Sequence, residues 1–241
     1  MLDSRRWLSP AVLVCVWLPL IVGCRPGSSG ARPTATPTPR QRLEDASRQM
    51  QSVSAFHFLL THQNGFSTIG NGLDMTRAEG DFVAPERFKA AVKGSFQTLP
   101  VSVSVISVQN QTWVTNPLQG GEHYLPLTNG PQTTQILDPS RGLLKAASEM
   151  RDPKLTGSDK VGTVETFVVS GSVDAGSLRA IATDAESGRQ IPAQIWIGKD
   201  DLLIYRVRLS GPLSSSEPQN IVRQIDLSQF NEKVVIQPPS S

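Results

Sequence analysis

Cys24 is the residue whose chemistry is most evident from its surroundings in the chain. It follows an apolar stretch that ends in Leu20-Ile21-Val22-Gly23, and this stretch follows two arginines, Arg5 and Arg6. A basic start, an apolar stretch and a small residue at the cleavage point are the parts of an export signal. The thiol of Cys24 therefore lies where such a signal is cut.

The segment from Ile21 to Cys24 resembles the lipobox of bacterial lipoproteins. In that family the cysteine thiol receives a diacylglycerol, and signal peptidase II cuts before the cysteine. The resemblance implies that residues 1–23 are a signal peptide and that acyl chains on Cys24, palmitate among them, hold the protein on the extracytoplasmic face of the cell membrane. The alternative is a transmembrane helix, but Trp7 to Val22 spans 16 residues, and a bilayer needs about 20.

The other reactive side chains form no catalytic set in the sequence. His57, His62 and His123 have no partner set for a base and a nucleophile, so we expect surface or hydrogen-bonded histidines. No nucleophile elbow, zinc-binding histidine pair or glycine-rich phosphate loop is present. Asp200-Asp201 is typical of a hairpin turn rather than a metal site. The sequence therefore predicts no enzymatic activity, no metal site and no cofactor.

Composition divides the chain into three parts. After the signal of residues 1–23, residues 24–40 combine the lipidated cysteine with a tether rich in Pro, Ser, Thr and Gly. Residues 41–241 carry the periodic apolar residues that can form a core, and their number suits one domain. The formal net charge of +2 provides no electrostatic footprint for nucleic acid.

Apolar periodicity in residues 41–241 predicts an α+β fold with more strands than helices. Spacings of three and four predict a helix from Gln41 to Val53. Asp138-Pro139 suits the start of a second helix that continues to Met150, and Asp174 suits the cap of a short helix from Ala175 to Ala182. Alternation predicts antiparallel strands with one solvated face. These strands cover residues 56–61, 87–93, 99–108, 113–115, 124–125, 164–171, 191–197, 202–209, 221–227 and 234–236.

Several segments, in this order and spacing, resemble the LppX/LprAFG family of lipoproteins. The resemblance runs from about Leu43 to Pro239. The segments that carry it are Gly80-Asp81-Phe82, Pro85-Glu86-Arg87-Phe88-Lys89, Leu137-Asp138-Pro139-Ser140-Arg141-Gly142-Leu143, Val168-Val169-Ser170-Gly171-Ser172-Val173, Ile191-Pro192-Ala193-Gln194-Ile195-Trp196-Ile197 and Asp226-Leu227-Ser228-Gln229-Phe230-Asn231-Glu232-Lys233-Val234. None of these segments is a catalytic signature.

The resemblance implies a fold like that of the LolA/LolB lipoprotein carriers. That fold is a strongly curved antiparallel half-barrel sheet, covered on its concave face by a few helices, which enclose an apolar cavity for acyl chains. Alternating strands alone indicate ordinary core packing, and the resemblance makes some of the apolar residues candidates to line a cavity. The candidates are Phe56, Phe58, Leu60, Phe88, Val101, Val103, Val105, Leu143, Leu144, Ala147, Met150, Ile195, Ile197, Val207 and Leu209.

Characterised relatives carry lipids or glycolipids across the cell envelope, and the resemblance implies the same function here. The expected partners are the membrane, through Cys24, and a lipid or glycolipid cargo in place of a cofactor. A membrane transporter is a further candidate partner, and we expect a monomer. The alternative is an envelope sensor or structural lipoprotein of the same fold that regulates a partner protein.

Overall fold

The fold was obtained as a computed structural model, which describes residues 36–69, 72–116, 123–127, 144, 149–179, 182 and 184–239. Cys24 and the expected signal peptide lie outside these residues. So does most of the expected helix after Asp138, although Leu144 within it has helical backbone geometry.

The first described element is helix α1 (Pro39–Gln51), which begins two residues before the predicted start. The side chain of Thr38 accepts a hydrogen bond from the backbone N–H of Gln41, and the Gln41 side chain accepts one from the N–H of Thr38. This reciprocal pair is a capping box, and it fixes where the helix starts. The buried face of α1 consists of Leu43, Ala46 and Met50.

Twelve strands of the described residues form one antiparallel sheet. They are β1 (Ala55–Gln63), β2 (Ser67–Ile69), β3 (Leu73–Val83), β4 (Arg87–Phe96), β5 (Leu99–Val108), β6 (Gln111–Thr115), β7 (Tyr124–Pro126), β8 (Arg151–Val161), β9 (Val164–Asp174), β10 (Gln190–Gly198), β11 (Ile204–Ser210) and β12 (Val222–Ser228). The order across the sheet is β7-β6-β5-β4-β3-β1-β12-β11-β10-β9-β8, and β2 pairs with β3. The sheet is open, because β7 and β8 lie at its two edges.

One face of this sheet carries a single core, to which α1 and both halves of the sheet contribute. Neighbouring strands lie about 4.8 Å apart, so a flat sheet of this order would be about 50 Å wide. The sheet must therefore curve to bring Ala90 of β4 and Ile195 of β10 into the same core, and we call this side the concave face. Strands approach closely there: a Cβ on Gly80 would lie 1.9 Å from the carbonyl oxygen of Lys89.

The covering helices are fewer in the described residues than we expected. Beside α1 there is one 3-10 turn, Ala175–Leu178, where the sequence predicts a helix to Ala182. The predicted cap is confirmed, because the Asp174 side chain accepts a hydrogen bond from the N–H of Gly176 at 2.8 Å. No helix within the described ranges is both long and apolar enough to cross a bilayer.

The C-terminal segment differs from its prediction. Residues 234–236 form no strand. Instead Ile236 packs with Ile106 and Val108 on the outer face of the sheet, opposite the concave face. Arg87 Nη1 donates a hydrogen bond to the carbonyl oxygen of Ile236 at 2.6 Å. The segment therefore covers apolar side chains that β5 directs away from the main core.

Candidate functional site

The concave face gathers most of the candidate cavity residues into one cluster. Its buried members are Phe56, Phe58, Leu60, Phe88, Val105, Leu144, Met150, Ile195, Ile197, Val207 and Leu209. Val101 and Val103 on β5 are half-buried. Cys24, Leu143 and Ala147 lie outside the described residues.

At the end of the sheet where β1 begins, the concave face is closely packed. The rings of Phe56 and Phe82 stack with their centroids 5.1 Å apart, and those of Phe58 and Phe88 stack at 5.3 Å. Stacked aromatic rings with low exposure are typical of a well-filled core. These four side chains therefore form the closed end of the face.

At the other end of β5 the same face becomes exposed to solvent. Four side chains on this strand point to the concave side in alternation, from Val105 through Val103 and Val101 to Leu99. Val105 is 8% exposed and Leu99 is 65% exposed, with intermediate exposure between them. The concave apolar surface of β5 therefore runs from the core out to the end of the sheet.

The neighbouring strands repeat this change. On β4, Val92 is buried and Phe96 is exposed. Phe96 pairs with Leu99 on one side and with Leu73 of β3 on the other. We call the row formed by Leu73, Phe96 and Leu99 the open end of the concave face. Phe96 and Leu99 are exposed beside each other, and an exposed apolar patch that adjoins the core is a candidate binding surface.

A buried polar cluster lies beside the open end. Its centre is Arg223 of β12, which is 1% exposed and lies on the same face of its strand as Ile225 and Leu227. Arg223 Nε donates a hydrogen bond to Ser67 Oγ at 2.9 Å, and Nη2 forms an ion pair with Glu217. Within the described part of the chain, Nη1 is buried and has no hydrogen-bond partner.

A chain of hydrogen bonds continues from Ser67 to His62. The Oγ of Ser67 lies 2.9 Å from His62 Nε2, and His62 Nδ1 lies 3.1 Å from the carbonyl oxygen of Thr76. A carbonyl oxygen only accepts, so Nδ1 carries the proton and Nε2 accepts from the Ser67 hydroxyl. Burial lowers the pKa of His62 to about 4, and the positive charge of Arg223 acts in the same direction. His62 is therefore neutral at pH 7.

Two carboxylates complete the polar cluster. Glu217 is 8% exposed and accepts a second hydrogen bond, from the N–H of Leu213 at 2.6 Å. Asp184 is exposed and accepts from the hydroxyls of Ser214 at 2.6 Å and Ser216 at 2.9 Å. These two hydrogen bonds lower the pKa of the Asp184 carboxyl, and the bond from Ser214 has the larger effect. The cluster thus extends from the buried guanidinium to the protein surface.

This cluster is not among the sites predicted above, although the sequence contains a signal for it. Arg223 occupies the position of an apolar residue in the alternating series Ile221, Arg223, Ile225, Leu227. His62 likewise occupies an apolar position, in the alternating series Phe58, Leu60, His62 of β1. His62 and Arg223 are paired across β1 and β12. When two neighbouring strands each carry a polar residue at a position whose alternation points it into the core, the sequence therefore indicates a buried polar site.

His57 and Asp201 have structural partners, and His123 lies exposed, as predicted for a surface histidine. His57 lies on the outer face, with Nδ1 2.8 Å from Asp81 Oδ1. Asp201 lies in the β10–β11 turn, as predicted, where it accepts hydrogen bonds from the N–H of Leu203 and the hydroxyl of Tyr205. In the part of the chain that is described, no group of three or more His, Cys, Asp or Glu residues could hold a metal ion.

Two clefts lie away from the open end. One, of ≈ 390 Å³, lies on the outer face against the C-terminal segment and includes Lys89 and Tyr124. The other, of ≈ 710 Å³, lies at the opposite end of the sheet, between the β8–β9 turn and residues 228–231. The second cleft reaches the core residues Leu203 and Leu227, and neither cleft includes a candidate cavity residue.

Comparison with known proteins identifies the family. The model of the LppX_LprAFG lipoproteins matches residues 38–236, which include α1 and all twelve strands. This chain belongs to the LppX/LprAFG family. Members of this family are lipoproteins with extracytoplasmic, envelope-associated roles, and the named carriers among them transport lipids.

Two relatives illustrate the membership. The lipoarabinomannan carrier protein LprG of Mycobacterium tuberculosis strain H37Rv is 24% identical over 241 residues, which cover 98% of this chain and 97% of LprG. LprF of the same strain, named as a proposed diacylated glycolipid transporter, is 26% identical over 203 residues, which cover 78% of this chain and 74% of LprF.

Solved structures of two family members share the fold. The crystal structure of LprF from Mycobacterium bovis has a TM-score of 0.66 at 20% identity and covers 84% of this chain and 97% of its own. The crystal structure of the Mycobacterium tuberculosis lipoprotein LppX has a TM-score of 0.61 at 15% identity, and the match covers 83% of this chain and 98% of LppX. The predicted family and the mainly antiparallel open sheet are therefore confirmed.

Proposed function

We propose that this LppX/LprAFG protein is a lipid-anchored extracytoplasmic carrier of lipids or glycolipids. The observation that carries the proposal is the row of Leu73, Phe96 and Leu99, in which Phe96 and Leu99 are exposed and Leu73 is half-buried. This row continues into the buried core along β4 and β5. Acyl chains entering at this row would follow an unbroken apolar surface. The names of LprG and LprF, which describe a lipoarabinomannan carrier and a glycolipid transporter, support the same class of cargo.

The proposed binding mode is an apolar cavity that the acyl chains occupy on the concave face. The half-buried side chains of Val101 and Val103 would form its entrance, and the buried side chains of Leu144 and Met150 would contribute to its wall. Burial of one 16-carbon chain contributes about 12 kcal/mol gross, at about 0.8 kcal/mol per methylene. Such a term is large enough for binding without covalent chemistry, so the proposal requires no catalytic residue.

The proposed anchor is a diacylglycerol on Cys24, exposed after removal of residues 1–23. Residues 24–40 would then act as a tether, and residues 41–241 as the lipid-binding domain. Two or three acyl chains anchor a protein stably, whereas one chain does not. The tether would let the open end reach a membrane surface while the anchor stays in place.

The test is native mass spectrometry of the full chain released from detergent micelles, with Val103→Trp as the diagnostic variant. A half-buried site can accept the larger side chain, which would fill the proposed entrance. We expect the unaltered chain to retain about one diacyl lipid, and the variant to lose most of it. Ser102→Trp, on the exposed outer face of the same strand, is the matched control and should retain lipid.

A chain that takes up no diacyl lipid would contradict the carrier function and favour the sensor alternative. Equal lipid retention in the Val103→Trp and Ser102→Trp variants would instead contradict the proposed entrance on β5.

A further inference from the structure

The open end of the concave face lies at the tips of two neighbouring hairpins. At the first tip, Ile69 of β2 pairs with Leu73 of β3. At the second tip, residues 96–99, Phe96 of β4 pairs with Leu99 of β5, and Leu73 pairs with Phe96 between the two tips. Directly paired residues on neighbouring strands point to the same face of a sheet. The four side chains therefore form one apolar row across both tips.

The second tip is short and exposed. Only Gln97 and Thr98 connect β4 to β5, and both have positive φ angles, of 48° and 72°. A tight type I′ hairpin turn has positive φ at both central residues, and its backbone is well defined. Phe96 on one side of the turn is 43% exposed and Leu99 on the other is 65% exposed. The turn therefore holds two large apolar side chains out at the end of the sheet.

Charged side chains are sparse around both tips. Lys93 is the only charged residue in residues 90–115, in a chain of which 18% of the residues are charged. Residues 70–72, in the connection of the first tip, carry no charge either. The carboxylate beside the first tip, that of Asp74, accepts a hydrogen bond from Thr68 Oγ1 at 2.8 Å on the outer face. The apolar row can therefore leave water without the removal of a charge from water.

Lys93 provides a positive charge behind the second tip. It is exposed on the outer face, opposite Ser102, and its ammonium group forms no ion pair with any described residue. Lys93 and Phe96 are three residues apart, which is about 10 Å along a strand. Apolar groups of membrane-surface proteins enter the boundary between headgroups and acyl chains by about 5–10 Å. A second tip inserted to that depth would bring Lys93 level with the lipid phosphates.

A membrane is within reach of the tips. The family consists of lipoproteins, and the proposed anchor of this chain is Cys24. A tether from Cys24 to Thr38 can extend to roughly 50 Å. The 10 residues of β5 span about 33 Å, which approximates the length of the sheet along its strands. The tether therefore allows either end of the sheet to touch the membrane, and the exposed apolar tips favour the open end.

We propose that the two tips insert into the interface of a phospholipid bilayer, with Lys93 at the level of the lipid phosphates. Insertion transfers the exposed side chains of Phe96 and Leu99 from water to the acyl chains, which is favourable. The ammonium group of Lys93 then faces phosphate oxygens, which carry the opposite charge. This inference goes beyond the proposed carrier function, because it assigns the surface that touches the membrane and holds whether or not the chain carries lipid.

The experiment measures which end of the sheet enters the bilayer. An environment-sensitive fluorescent amino acid replaces Thr98 in one full chain and Thr163 in another, and both are reconstituted into phosphatidylcholine vesicles. Thr163 is the matched control, because it is exposed in the two-residue turn between β8 and β9 at the opposite end of the sheet. Lipids with a nitroxide on the acyl chain quench only a probe that reaches the hydrocarbon. We expect quenching and blue-shifted emission at position 98 and neither at position 163.

Two substitutions assign the insertion to named side chains. Leu99→Asp removes apolar burial and adds a charge, so it should lower the equilibrium constant for insertion at least about tenfold. Its control is Leu155→Asp, at an exposed leucine of β8, which should leave the quenching unchanged. Phosphatidylglycerol in the vesicles should raise the same constant about fivefold through Lys93. Lys93→Gln should reduce this gain, whereas Lys160→Gln, near the opposite end of the sheet, should not.

A further variant separates bilayer lipid from cargo lipid. A nitroxide lipid held in the proposed cavity would also lie near position 98 and quench the probe there. Val103→Trp fills the proposed entrance and would exclude such a cargo. We therefore expect the quenching at position 98 to persist in the Val103→Trp variant.

The outcomes separate insertion from carriage. Absent quenching at position 98, equal quenching at positions 98 and 163, or its loss in the Val103→Trp variant overturns the insertion. A blue shift at position 98 that grows with protein concentration in detergent, without quenching by lipid, identifies a second copy of the chain as the occupant and also overturns it. Insertion by a chain that retains no diacyl lipid leaves this inference standing and overturns the carrier function, and retention without insertion does the reverse.

Discussion

His62 links the polar cluster to pH at the scale of a single residue. Its ring accepts a hydrogen bond from Ser67, and Ser67 in turn accepts from Arg223. This arrangement requires a neutral imidazole, because a protonated ring would have no lone pair for the Ser67 hydroxyl. Burial lowers the pKa of His62 from 6.5 to about 4 in the folded chain.

The stability of the fold should therefore fall in acid. Between pH 6.5 and about 4, the unfolded chain binds a proton at His62 and the folded chain does not, so lower pH favours unfolding. We expect a loss on the order of 2 kcal/mol in the free energy of unfolding across this range. Urea titrations at pH 7 and pH 4.5 measure it.

The matched variant is His62→Gln, whose amide can donate to Thr76 and accept from Ser67 without titrating. Its free energy of unfolding should change less than that of the unaltered chain between the two pH values. The same acid dependence in both proteins would show that other groups, and not His62, are responsible.

At the scale of elements, the C-terminal segment stabilises the outer face of the sheet. Ile236 is 3% exposed and packs on β5, whereas the adjacent Val235 is 69% exposed. We expect Ile236→Ala to lower the free energy of unfolding by about 2–4 kcal/mol, the usual result of removing a buried aliphatic side chain. Val235→Ala should change it by less than about 0.5 kcal/mol. Denaturant unfolding of both variants measures the difference, and equal effects would mean that the segment does not pack against the sheet in solution.

Strands differ in how well the sequence predicts them, and the reasons are physical. Alternation is clear in β1 and β4, where one face is buried and the other is more exposed, whereas the second half of β5 is buried on both faces because Ile236 covers Ile106 and Val108. In β3 a register shift between Met75 and Arg77 interrupts the alternation. In β8, nearly all residues are exposed on both faces, so no apolar period exists; Pro153 lies where the pairing with β9 shifts, as prolines do in edge strands.

At the scale of the whole molecule, the sequence predicts the family and the kind of sheet but not the form of the site. Six segments in the family's order carry the resemblance, and the family model matches residues 38–236, which include all six. The sequence does not predict the open end, because Leu99 and Val105 are both apolar and both point to the concave face, so alternation cannot tell which of them is exposed. Their exposures differ because the rest of the fold packs on the Val105 end of β5 and not on the Leu99 end, which alternation does not report.

The polar cluster could be predicted in part. Alternation along β12 and β1 places Arg223 and His62 on the apolar face of their strands. Their pairing follows once β1 and β12 are neighbours. Glu217 lies in the connection between β11 and β12, where no periodicity indicates its direction. Its ion pair with Arg223 depends on how that connection folds back, which is a property of the three-dimensional structure.

Movement of lipid between membranes is tested most directly by a transfer assay. The full chain is reconstituted into donor vesicles that contain a fluorescent diacyl glycolipid and a quencher, and acceptor vesicles contain neither. We expect fluorescence to rise at a rate proportional to the amount of protein, and the Val103→Trp variant to transfer far more slowly than Ser102→Trp. Lipid that binds the protein but never reaches the acceptor vesicles would contradict the carrier function and indicate a sensor of the same fold.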